Sequence, residues 1–295
     1  MGDRIIEVSG FDAYLSASRR QIAVKRDGEV VGRFPAEDVG LLVVDTPLAS
    51  FSNETLLALV EGGGMAILCG PDHLPAAWVL PVAGNQLQVR RMEQQIALTR
   101  PRRKRLWQQV VQAKIRNQAA VCEDAETARA LRAMAARVGS GDPGNVEAQA
   151  ARLHWSRFLH DEPGFRRDRE GPAPNHLLNY GYAILRAAMA RTLCGAGLHP
   201  SLGLHHCNRS AGFPLADDLM EPFRPWADRA ARRLHRRGVR EIDRPAKAAM
   251  LGLLAERCRC GANRTSLDNA MARLVNSLVR HLEDPAEKLE TPGWP

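Results

Sequence analysis

The sequence predicts an α+β protein, with a small, mostly β region first and a larger helical region after it. Three observations predict this. Short apolar runs separated by turn signals fill the stretch before Gly84, composition changes near Gly84, and from there apolar residues recur at helical spacing.

Arg4 to Val8 is a short apolar run. Gln21 to Arg26 and Glu29 to Phe34 flank Asp27-Gly28, a two-residue hairpin turn, because both central positions need positive φ. Gly40 to Asp45 and Met65 to Cys69 are continuous apolar runs suited to buried strands, and Trp78 to Pro81 is a last strand. Asn53 is placed to cap a short helix through Val60, which Gly62, Gly63 and Gly64 stop.

In the second region Gln86 to Leu98 and Arg103 to Ala119 are helical, with Pro101 as the break between them. Glu126 to Val138 follows, then a loop at Gly139 to Asn145, a helix from Val146 to about Leu159, and a loop from Asp161 to Pro174. His176 to Cys194 is a long helix ended by Gly195 and Gly197, and His199 to Pro214 is irregular. Helices through Arg229, over Ala246 to Cys258 and over Ser266 to Leu282 complete the pattern, and the last dozen residues read as a tail.

With 295 residues, 45% hydrophobic and 25% charged, the chain can bury a core, which argues against disorder along its length. The net charge of +8 and pI near 9.6, with arginines at Arg100 to Arg105 and Arg229 to Arg240, favour a polyanionic partner through neutralised phosphates; solvated helix faces account for the same arginines equally simply. No apolar run approaches the ~18 residues of a membrane span, and MGDRIIEV has neither a signal segment nor, with Ile6 where Ser or Thr is needed, a myristoylation signal. The six cysteines are scattered and form no paired zinc pattern, with Cys258 and Cys260 too close to be a ligand pair on their own, so a reducing cytoplasm is the simplest compartment.

Three places could carry chemistry. Glu147 opens a helix after GDPGN; on its own it would simply complement the helix dipole. His205-His206 lie in GLHHCNRSAGFP, between helices, where an imidazole serves function or bonds loop backbone. Asp217, Asp218 and Glu221 lie in LADDLMEPFRP; at spacings of three and four they share a helix face, which is costly unless a cation sits there, although one aspartate could instead cap the helix while Glu221 points to water. Carboxylate, imidazole and carboxylate together suit Mg²⁺, or Mn²⁺ given the nitrogen ligand, and such an ion can activate a hydroxyl against a phosphodiester.

At these residues the sequence resembles the CRISPR-associated Cas1 integrase family. GNVEAQAAR looks like its first metal motif, NHLLNYGYAIL with GLHPSLGLHH like its central block, and LADDLMEPFRP like its third; QVRRMEQQIALTRPRRKRLWQQVVQAKIRNQ resembles the start of its helical domain. The family's Gly-x-x-His pattern points through Gly203 to His206 rather than His205, with Glu221 fifteen residues on. HHCN followed by ADDLMEPFRP is most similar to the version found beside a single RNA-guided effector nuclease, while Asn208-Arg209 and Phe213 stand in a variable segment.

The resemblance implies a β-sandwich that dimerises (residues 1–83) and an α-helical catalytic domain (84–295). It implies a homodimer, joined with a small ferredoxin-like partner in a heterohexamer, that carries short foreign double-stranded DNA to the CRISPR repeat and inserts it by 3′-hydroxyl transesterification. Glu147, His206 and Glu221 would bind the metal, Mg²⁺ or Mn²⁺. Asp218, before Asp217, would support them, with His205 beside His206 as a further supporting residue. Arg224 would contact phosphate or neutralise the acids. Two alternatives remain: a metal-dependent nuclease that uses the same residues to process branched DNA without integration, and a DNA-binding scaffold with a vestigial metal site, against which the intact Glu147, His206 and Glu221 argue.

Overall fold

The computed structural model describes residues 2, 4–71, 73, 75–81, 85–159, 165–206 and 212–295. It divides into two compact units, Met1–Gln86 and Leu87–Pro295. The expected boundary at 83/84, and the stretch that holds Cys207 and Asn208-Arg209, fall outside the described residues.

The first unit contains β1 (Arg4–Ser9), β2 (Ala13–Ser18), β3 (Gln21–Arg26), β4 (Glu29–Pro35), β5 (Val39–Asp45), β6 (Ser50–Phe51), α1 (Asn53–Glu61), β7 (Met65–Cys69) and β8 (Pro75–Val79). They form two four-stranded sheets, ordered β1-β5-β7-β8 and β4-β3-β2-β6. Both sheets and α1 contribute to one apolar core, including Val8, Leu15, Ile22, Leu42 and Leu59. This is the expected mostly β unit on two sheets, although β1, β5 and β7 run parallel. β5 is buried at every position, as its unbroken apolar run requires. Asp27 and Gly28 take φ of 50° and 83°, the left-handed pair that closes the β3–β4 hairpin. One detail differs: Ser52, not Asn53, caps α1, its hydroxyl accepting from Thr55 N.

The second unit contains α2 (Gln88–Ile96), α3 (Arg100–Val121), α4 (Ala125–Arg137), α5 (Val146–Ser156), α6 (Asn175–Gly195), α7 (Pro214–Met220), α8 (Arg224–Arg236) and α9 (Arg244–Leu251), then a hairpin of β9 (Arg257–Cys260) and β10 (Asn263–Ser266), and α10 (Leu267–Glu283). A 3₁₀ turn, Glu221–Phe223, joins α7 to α8. α6 is buried over most of its length, including Leu177, Tyr180, Ile184 and Met189. α3 packs against α4, α5, α8 and the 3₁₀ turn. Pro101 falls in the first turn of α3, where its missing N–H leaves no helical bond unmade, so it starts this helix.

Two expectations are corrected. Cys258 lies in a strand, because Arg257 to Cys260 alternates exposed and buried side chains and pairs with β10 instead of extending α9. The final residues are docked rather than trailing. Gly293 bridges Arg259, Trp294 packs on Trp226 with centroids 4.7 Å apart, and Asn117 Nδ2 donates to Pro292 O at 3.0 Å. Among the described residues no helix is long and apolar enough to cross a membrane.

Candidate active site

Glu147 lies in the first turn of α5, but its carboxylate does not serve that turn. Asp142, at φ 50° in the preceding loop, already accepts from Val146 N and Glu147 N, both at 2.9 Å. The Glu147 side chain is therefore free to reach across to α3, where Lys114 Nζ donates to Oε1 at 2.6 Å.

Lys114 also lies 2.6 Å from Glu221 Oε2. Two carboxylates that are far apart in sequence thus converge on one buried ammonium. Arg224 donates to the other Glu221 oxygen at 2.6 Å, and its guanidinium lies 4.1 Å from the centroid of the Tyr182 ring. The Tyr182 hydroxyl donates to Asp228, which also bonds His154 at 3.1 Å. A buried polar chain thus backs Arg224. Burial alone would raise the Glu221 carboxyl, but the charges of Arg224 and Lys114 outweigh it and hold it at about 2. Burial would likewise lower the Lys114 ammonium; Glu221 and then Glu147 keep it above its ordinary value. Both residues are therefore charged at neutral pH.

The histidine end is built differently. Asp218, fully buried on α7, accepts from the backbone amides of Leu204 (2.6 Å), His205 (2.9 Å) and His206 (3.2 Å). Its Oδ1 also lies 2.5 Å from His206 Nδ1, which leaves Nε2 as the nitrogen available to a ligand. The hydrogen bond with Asp218 raises the His206 pKa against the effect of burial, and the charges of Asp218, Glu221 and Glu147 add to it. Gly203 makes this loop possible. A Cβ there would lie 2.6 Å from His206 O and 2.9 Å from Pro214 Cβ, so no other residue fits without displacing backbone. Trp107 on α3 lies beneath both histidines, stacked on His205 (centroids 4.4 Å, 2° between planes) and edge-on to His206 (5.5 Å).

Of the residues singled out from sequence, Glu147, Glu221 and Arg224 share one charge cluster, and His206 with Asp218 stands within its electrostatic reach. Asp217 points elsewhere: Arg186 of α6 donates to it at 2.7 Å, and burial raises its carboxyl despite that partner. Among the described residues no three His, Cys, Asp or Glu side chains close on one point. The point that two of them share is held by Lys114. The donor set nonetheless fits a hard divalent cation: it offers carboxylate oxygens and an imidazole nitrogen, and a buried positive charge already sits between the two carboxylates.

Lys114, Trp107 and Asp142 were not singled out in the sequence. Lys114 did leave a trace there. It follows Trp107 by seven residues and Val110 by four, which places it in the middle of the buried stripe of α3, where a lysine needs a counter-charge.

The family profile described as CRISPR associated protein Cas1 matches residues 6–259. This chain belongs to the Cas1 family. It is 39% identical over 227 residues to the CRISPR-associated endonuclease Cas1 of Neisseria meningitidis serogroup C (strain 8013), covering 76% of this chain and 73% of that one. Its fold is similar to that of a casposase bound to integration product (TM-score 0.81, 18% identity, covering 97% of this chain and 92% of that one). It is also similar to a chain of a Cas6-RT-Cas1–Cas2 complex (TM-score 0.77, 17% identity, covering 96% of this chain and 35% of that one). The match runs through all three motif segments, so Glu147, His206, Asp218 and Glu221 lie within the Cas1 region.

Proposed function

We propose that this Cas1-family chain is a metal-dependent DNA endonuclease and integrase that inserts short foreign DNA into a CRISPR array. One observation carries the proposal: carboxylates from α5 and from the α7–α8 turn converge on a single buried cation position beside an imidazole oriented by Asp218. The endonuclease name of the Neisseria relative and the integration product held by the casposase support the reaction class.

In this reading Glu147, His206 and Glu221 hold Mg²⁺ or Mn²⁺. The ion would polarise the scissile phosphate and offset charge developing on its oxygens. Asp218 keeps the His206 imidazole turned with Nε2 outward. Arg224 keeps Glu221 ionised and offers its remaining N–H groups to phosphate. In strand joining, a 3′-hydroxyl gives up its proton to solvent as its oxygen bonds to phosphorus, the bond from that phosphorus to the outgoing 3′-oxygen breaks, and the leaving oxygen takes up a proton. No covalent enzyme intermediate is required.

The proposal extends to assembly. The β unit would form a homodimer, and a small ferredoxin-like partner would complete a heterohexamer on prespacer and repeat DNA in the cytoplasm; the Cas1–Cas2 pairing named for the structural neighbour supports the presence of a second protein. The resemblance of HHCN with ADDLMEPFRP supports a chain that works beside a single RNA-guided effector, and the genes flanking its own test this.

The test is strand joining of a short duplex into a supercoiled plasmid carrying a repeat, with the small partner and Mn²⁺ present. The wild type should join, and Glu147→Ala and His206→Ala should not, while salt-sensitive DNA binding persists in all three. Cutting without joining would replace this reading with the branched-DNA nuclease. Binding without either reaction would leave a scaffold.

A further inference from the structure

The ammonium of Lys114 stands where the proposed metal would have to stand. It is 2.6 Å from Glu147 Oε1 and 2.6 Å from Glu221 Oε2, and its side chain is only 8% exposed. A divalent cation binds carboxylate oxygens at roughly 2.0–2.2 Å, so an ion shared by these two oxygens overlaps the position of the ammonium. Charge makes the same demand. Glu147 and Glu221 are already balanced by Lys114 and Arg224, and a further double charge next to a seated ammonium would be repelled in a site with little water to screen it.

We propose that Lys114 is an internal stand-in for the metal: it holds the two carboxylates together in the metal-free protein and must leave at least one of them for the ion to bind. This rests on the metal-site reading above. The lysine does two things at once. It prevents Glu147 and Glu221, brought close by the packing of α3, α5 and the 3₁₀ turn, from repelling each other while the site waits for its ion. It also sets a threshold, because only the fraction of molecules with Lys114 withdrawn can take the metal. Activity would then respond to metal concentration through a lysine that touches neither substrate nor ion.

Two measurements on the full chain test this. The first is a crystal structure with Mn²⁺, located by its anomalous signal. The expected result is an Mn²⁺ peak against Glu147 and Glu221 with Lys114 Nζ withdrawn from one or both. A peak there with Nζ still hydrogen-bonded to both carboxylates overturns the stand-in while leaving the metal site intact. No peak at these residues overturns the metal-site reading and this inference with it. The second is Mn²⁺ titration by calorimetry on Lys114→Met and Lys114→Arg. If Lys114 is seated most of the time, Lys114→Met binds Mn²⁺ about tenfold more tightly or better. Its metal-free form melts lower and gains more from Mn²⁺ than the wild type does. Lys114→Arg, which keeps the charge, shows no such tightening. Folding of Lys114→Met only when Mn²⁺ is present also supports the proposal. Equal or weaker affinity in folded Lys114→Met overturns it, and if that variant folds under neither condition, the crystal structure decides.

Discussion

The two ends of the site solve the same problem by different means. At the carboxylate end, Glu147 and Glu221 come from elements far apart in the chain and are held by side-chain charges, Lys114 between them and Arg224 behind. At the histidine end, one buried aspartate gathers three consecutive backbone amides and the imidazole they carry. The first arrangement sets charge and depends on packing between helices. The second sets orientation and depends on a loop with a glycine at its tightest point. If the site binds a metal as proposed, balanced charges hold the anions in place and backbone geometry turns the one ring that must face a given way.

The contrast can be broken in steps. The largest effect should come from Glu221→Gln. Its carboxyl is held at about 2, below its ordinary 4.5, so the stability it brings is complete above that ordinary value and is lost as pH falls toward 2. Near neutrality the variant should lose about 3 kcal/mol, by linkage from that shift. Urea unfolding of the metal-free protein should show the gap to wild type narrowing as pH is lowered from about 6 to about 3; a gap independent of pH would mean that Arg224 and Lys114 do not act through this charge.

Asp218→Asn comes next. The amide keeps one acceptor but turns a donor toward amide N–H groups, so a loss of about 2 kcal/mol is expected. Hydrogen exchange should speed up at the amides of residues 204–206 in this variant and not in Glu221→Gln. Similar exchange in both would make the two ends one unit. His205→Ala should cost about 1 kcal/mol through the lost stack on Trp107, with strand joining retained. Asp217→Asn removes a partly exposed pair with Arg186 and should cost about 0.5 kcal/mol or less. If Asp217→Asn impaired joining as severely as Asp218→Asn, the division of labour between these neighbours would be wrong.

How much of this was readable in advance follows from the same physics. The helices of the second unit carry their periodicity in Leu, Ile, Val and Ala, and the β3–β4 hairpin announces itself through Asp27-Gly28. β2 was missed because AYLSAS alternates small and polar residues too weakly to stand out, although Leu15 is fully buried. β9 was missed because RCRC follows directly on a helical pattern, and its strand character rests on pairing with β10. In the site, Asp217, Asp218 and Glu221 stood out by spacing, while His206 and the Gly203 before it stood out through the family resemblance, and the steric reason for that glycine needs three dimensions. Lys114 and Trp107 were not read as site residues because each makes its contacts with segments more than thirty positions away. Nothing local marks such partners beyond a charged side chain on a buried stripe.

The docked C-terminal segment adds a consequence in time. Asn117 Nδ2 donates both to Pro222 O, in the turn that bears Glu221, and to Pro292 O. During synthesis, residues near 222 leave the ribosome well before residues near 292, so this brace closes only after the segment at 292–294 emerges. A nascent chain therefore carries both acids before the second of these two Asn117 hydrogen bonds can form.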